Sequence, residues 1–154
     1  MSEIVRWIGR IDETNYNQVL EKLKDLDGQE FTLLISSEEG GWLRIAKLFL
    51  DEIKYRDLKM NTYISGRVSS AAIPIAVSGN EVGMEEDAHI FFHPLEFWDG
   101  EEEELVRNMK YWYKKVIANA SEKLSSADVE KMMNEEALID ADKAQSLGLI
   151  SSII

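Results

Sequence analysis

Three short segments hold residues whose types and spacing suit nucleophilic chemistry. The first is Gly66-Arg67-Val68-Ser69-Ser70-Ala71-Ala72, where a strand ends, a glycine turns the chain and a serine meets the start of a helix. A serine there lies in the positive field of the helix N-terminus, and the alanines let other backbone approach closely. Serine nucleophiles use this layout, and so does an ordinary helix cap. The second is Glu39-Gly40-Gly41-Trp42. Paired glycines between a strand and a helix let backbone N–H groups point at one spot, as an oxyanion hole requires, or simply make a turn. The third is His93-Pro94 at the end of an apolar strand. Such an imidazole acts either as a general base near neutral pH or as a structural residue. Order and spacing along one chain favour the chemical reading of all three.

Composition narrows what these residues can do. The chain has 154 residues, 45% of them hydrophobic, with no low-complexity run, linker or repeat, which predicts one domain over residues 1–154. A formal net charge of −12 argues against nucleic acid and against an anionic membrane surface. With no cysteine, a thiolate nucleophile, a disulfide and Cys-ligated zinc are excluded. His89 and His93 have HxxxH spacing, but Ile90, Phe91 and Phe92 between them read as strand, so neither a metal site nor a cofactor is expected. MSEIVRWIGRID contains no long apolar run, and a cytoplasmic protein is the default expectation.

The elements that must position these residues alternate. Strands are predicted at 4–8, 31–35, 60–64, near Val82, at 89–92 and at 150–154, with Ser65-Gly66 as the turn after the third. Helices are predicted from the Asp12 or Thr14 cap to Leu26, over 42–53 and 69–78, and from about 101 to 123. Shorter helices follow from Ser125 or Ser126 to Met133 and over 141–147. The alternation predicts an α/β fold of βαβ units on a mainly parallel sheet. Chemistry in such sheets sits at the C-terminal ends of the strands, where the loops 36–41, 65–70 and 93–100 fall.

On these motifs the sequence resembles the proteolytic subunit of the Clp protease, and so the ClpP/crotonase-like fold of repeated β-β-α and βαβ units. The matching residues are Gly40-Gly41, Gly66-Arg67-Val68-Ser69-Ser70, His93-Pro94 and the closing Ala141-Asp142-Lys143-Ala144-Gln145-Ser146-Leu147-Gly148-Leu149-Ile150. The helix at about 101–123 falls where that family has its projecting handle. The resemblance implies Ser70 as nucleophile, His93 as general base, and the Gly41 and Ala71 N–H groups as oxyanion donors. Three departures stand beside it. The position the family gives to an aspartate is Met132 here; Ser37-Glu38-Glu39 replaces the usual Ser-Pro; and Leu95-Glu96-Phe97-Trp98-Asp99-Gly100 replaces glycines that pair with substrate. Asn134, Glu135 or Glu136 would have to stand in for the acid.

The expected function is that of a serine endopeptidase cleaving peptides or unfolded proteins inside an oligomeric chamber. Seven-membered rings, single or double, are implied. The chain starts almost at the first core strand, leaving no expected axial loop and an ATPase partner in doubt. Met132 and the 95–99 segment motivate the alternative, a catalytically weak or inactive scaffold subunit. Acyl-CoA chemistry on the related crotonase fold ranks third, because a helix-start serine with a strand-end histidine is not its signature.

Overall fold

The computed structural model describes residues 3–154. Its strands are β1 (Glu3–Ile8), β2 (Glu30–Ser37), β3 (Lys59–Ser69), β4 (Val82–Met84), β5 (His89–Phe91), β6 (Leu138–Asp140) and β7 (Ser152–Ile153). Its helices are α1 (Glu13–Lys24), α2 (Leu43–Tyr55), α3 (Ala72–Val77), α4 (Glu103–Ser121), α5 (Ser126–Asn134) and α6 (Ala141–Ser146). The sheet runs β1-β2-β3-β4-β7, with β5 also on β3 and β6 on β5. Every pairing is parallel except β5–β6. The expected α/β fold with a mainly parallel sheet is therefore present, with one antiparallel strand added. At three residues, β6 is too short to leave a periodic signal in the sequence.

Alternation explains the central strands. Along β2, Phe31, Leu33, Ile35 and Ser37 are buried while the residues between them are only partly covered. Trp7 from β1 is buried against Phe49 of α2, with ring centroids 5.2 Å apart and nearly perpendicular planes. Its indole N–H donates to the Arg10 carbonyl at 3.0 Å, so burial strands no donor. Asp12, one of the two expected caps, starts α1 by accepting from the Asn15 N–H at 2.9 Å. Ser125 and Asp128 form a reciprocal capping box on α5, and those bonds hold the Asp128 carboxyl below the usual aspartate range.

β3 does not end at Ile64, as Ser65-Gly66 predicts. It continues to Ser69, and Gly66 sits inside it at φ +63°. The glycine makes an irregularity rather than a turn: pairing with β2 shifts register between Ile35 and Ser37. β3 thus serves two neighbours, β4 along Thr62–Ile64 and β5 along Arg67–Ser69. In consequence α3 starts at Ala72, not near Ser69, and Ser70 falls between strand and helix.

On α4 the buried residues are Tyr113, Ile117 and Ser121, all in its C-terminal half. Along the same helix Leu105 is exposed, while Met109, Trp112 and Val116 are half-covered. The far end of α4 is fixed by Ser121. Its hydroxyl donates to the Leu147 carbonyl at 2.5 Å and accepts from the Lys123 and Leu124 N–H groups. Gly148 packs on the same point at φ +76°, where an added Cβ would lie 2.5 Å from the Ser121 carbonyl oxygen. Gly148→Ala is therefore expected to destabilise by about 2 kcal/mol or more, combining left-handed strain with a backbone clash. Gly28→Ala meets open space and serves as the control. Urea unfolding of both variants checks this, and equal midpoints would contradict it.

Candidate active site

Two backbone constraints shape the site. The first is at Ser70, whose φ is +50°, a conformation that non-glycine residues rarely adopt. A sharp strand-to-helix elbow of this kind raises a side chain out of the backbone path. The second is the Gly40–Gly41 turn, with φ of +68° and +148°. Hydrogen bonds stitch it to Ile11: the Ile11 N–H donates to the Gly40 carbonyl at 2.7 Å, and the Trp42 N–H to the Ile11 carbonyl at 2.8 Å. A Cβ on Gly41 would collide with the Ile11 backbone. A Cβ on Gly40 would lie 2.8 Å from the Ser70 Cβ and 3.3 Å from the Ala71 nitrogen. Bare backbone at position 40 is what lets the turn press against the elbow.

Ser70, His93 and Gly41 line one cleft of about 420 Å3, together with Trp42, Leu95 and Trp98 among others. Among the described residues, the backbone N–H groups of Gly41 and Ala71 donate to no protein acceptor. Gly41 is half-buried and lines the cleft, whereas Ala71 is buried directly after the strained serine. His93 follows the end of β5 and projects beyond the last sheet contact, the 2.8 Å bond from the Phe92 N–H to the Ala137 carbonyl. The ring Nδ1 lies 2.8 Å from the Pro94 carbonyl oxygen. A carbonyl only accepts, so Nδ1 carries the proton and the neutral ring keeps its lone pair on Nε2.

Among the described residues, no aspartate bonds that imidazole. Met132 lies on α5, half-buried against the core, and its carbonyl accepts from the Ala137 N–H. Among the described residues, His93 has no carboxylate partner. The three expected stand-ins do not line the cleft: Asn134 and Glu136 are exposed, and Glu135 pairs with Lys131 at 3.9 Å. The partner of Nδ1 is instead the Pro94 carbonyl, which no side-chain pattern could reveal. His89 lines a different hollow with Arg67 and Asp87, so the HxxxH pair does not converge.

The segment after His93 is not a strand. Residues 92–98 have no regular structure, and Trp98 turns back onto Trp42 with ring centroids 5.4 Å apart. The two indoles meet across the cleft although each remains exposed to solvent. Nearby, Arg10 and Glu39 form an exposed ion pair at 3.1 Å, which occupies the glutamate of the altered loop.

Comparison with known proteins agrees with this architecture. The fold matches the crystal structure of the ClpP protease catalytic domain from Plasmodium falciparum with a TM-score of 0.86 at 18% identity, covering 99% of this chain and 84% of that one. At that identity the likeness defines the fold, the ClpP type. No curated protein matches the sequence. The model of the Clp protease family matches residues 1–154, and the chain belongs to that family.

Ser69, next to the elbow, is 2% exposed, and among the described residues its buried hydroxyl has no hydrogen-bond partner. Leaving a hydroxyl unsatisfied costs about 1–3 kcal/mol. Ser69→Ala is thus expected to stabilise by about 1 kcal/mol, a rise in Tm of about 2–4 °C for a chain of this length. Calorimetry measures it, and a fall in Tm would mean that the hydroxyl has a partner in solution.

Proposed function

We propose that this chain is a ClpP-like serine endopeptidase, working as one domain and cleaving peptides or unfolded protein through Ser70 and His93. The observation that carries the reading is the convergence of Ser70, His93 and the free Gly41 N–H on one cleft. In the proposed reaction, the Ser70 hydroxyl attacks the scissile carbonyl as His93 Nε2 takes its proton. The oxyanion is held by the Gly41 and Ala71 N–H groups. His93 then gives the proton to the leaving amine as the C–N bond breaks, leaving an acyl-Ser70 ester. Water, deprotonated by His93, hydrolyses that ester and restores the hydroxyl.

The carbonyl at Nδ1 sets the expected speed. It selects the correct tautomer, which an amide in place of the acid fails to do in a triad at a cost of about 10⁴ in turnover. It supplies no negative charge to stabilise the imidazolium, so slow turnover is expected. Met132 and the Trp42–Trp98 contact favour a second reading, a scaffold subunit with weak or no activity. Both readings include self-association into rings, heptameric or doubled, and the half-covered stripe on α4 supports this.

Labelling with a fluorophosphonate, read by intact mass at neutral pH, tests the site. One adduct that disappears in Ser70→Ala and forms at least tenfold more slowly in His93→Ala is expected. No adduct on folded protein makes the scaffold reading the conclusion. Sedimentation at micromolar concentration should give species larger than a monomer, and a monomer alone would remove the ring.

A further inference from the structure

The Ser70 elbow is held from behind as well as from the side. The Ser70 carbonyl oxygen has two lone pairs, and both are used. The Ile73 N–H donates to it at 3.0 Å as α3 begins, and the Tyr113 hydroxyl donates to it at 3.3 Å. Tyr113 is fully buried, and this carbonyl is the partner its hydroxyl finds. Burial pushes the phenol well above its ordinary range, so it remains a donor throughout the pH range in which the protein would act. A buried tyrosine can satisfy its hydroxyl on any nearby carbonyl. This one bonds Ser70, which among the described residues lining the cleft is the one non-glycine with positive φ. Strained backbone persists only where its surroundings over-determine it. Here the surroundings are Gly40 on one side, α3 on the second and Tyr113 on the third.

We propose that Tyr113 is a positioning residue that fixes the peptide unit of Ser70, and with it the aim of the Ser70 side chain and the Ala71 N–H. The proposal rests on Ser70 being the nucleophile. The bond joins the Tyr113 hydroxyl to the Ser70 carbonyl, which lies in the peptide plane whose nitrogen belongs to Ala71. Rotation of that plane would therefore move both the nucleophile's backbone and one oxyanion donor. Tyr113 lies near the middle of α4, so the handle helix is tied directly to the elbow.

Tyr113→Phe keeps the ring and removes only the donor. Its expected result is a fall of about threefold to tenfold in kcat and in the fluorophosphonate labelling rate. KM should stay within twofold and the midpoint of the pH–rate profile should not move, because His93 is untouched. Equal labelling rates for the two proteins would overturn the proposal. So would activity lost in step with a general loss of folded protein, which marks a purely structural role. A second readout does not depend on activity. In Ser70-labelled ¹³C protein, Tyr113→Phe should move the Ser70 carbonyl resonance upfield and speed hydrogen exchange at the Ile73 amide, with the rest of α3 unchanged. If the wild-type chain does not label at all, the peptidase reading fails; the carbonyl and amide signals then decide the positioning bond separately, and unchanged signals would overturn it.

Discussion

The site depends on a contact that no side chain could occupy. Gly40 lies so close to Ser70 and Ala71 that even a methyl group would force the turn and the elbow apart. That closeness brings the Gly40–Gly41 turn to the serine. It requires a positive φ on both sides: at the paired glycines, where it comes without strain, and at Ser70, where it does not. A serine held this way is stable only because the surrounding fold leaves it no relaxed alternative. The close β2–β3 pairing, the bonds from the turn to Ile11 and the burial of α3 all contribute to that enclosure.

β3 carries the constraint through the sheet. By bending at Gly66 instead of stopping there, it keeps β4 against its first half and brings β5 against its second. Without the second half, β5 would have no strand to pair with on that side, and His93 at its end would not come to the level of Ser70. A single glycine inside a strand thus places the imidazole and the hydroxyl on a common edge. Tyr113 closes the arrangement from below, because α4 supplies both a core face and a donor for the elbow.

Much of this was legible in the sequence. The alternation of apolar strands with amphipathic helices specified the α/β class, and Gly40-Gly41, Ser70 and His93 sit on loops at strand ends as their spacing indicated. The failures have physical reasons. Gly66 looks like a turn because glycine permits one, but pairing on both sides of β3 overrides that preference. β6 is invisible because three residues carry no period. On α4, Tyr113 and Ile117 are buried while Trp112 and Val116 beside them stay half-covered, a division that packing decides and residue type does not. The support of His93 came from main chain, which a search among acidic side chains cannot find.

The four tryptophans divide into environments that light would distinguish. Trp7 is sealed in the core, and Trp112 is half-covered on the handle helix. Trp42 and Trp98 stand in solvent at the mouth of the cleft, close enough to exchange excitation with each other. The native emission is therefore expected to be a sum of a blue, shielded component from Trp7, a red, accessible component from Trp42 and Trp98, and an intermediate one from Trp112. Anything that parts the outer pair changes chiefly the red component, so the protein carries its own optical record of that contact.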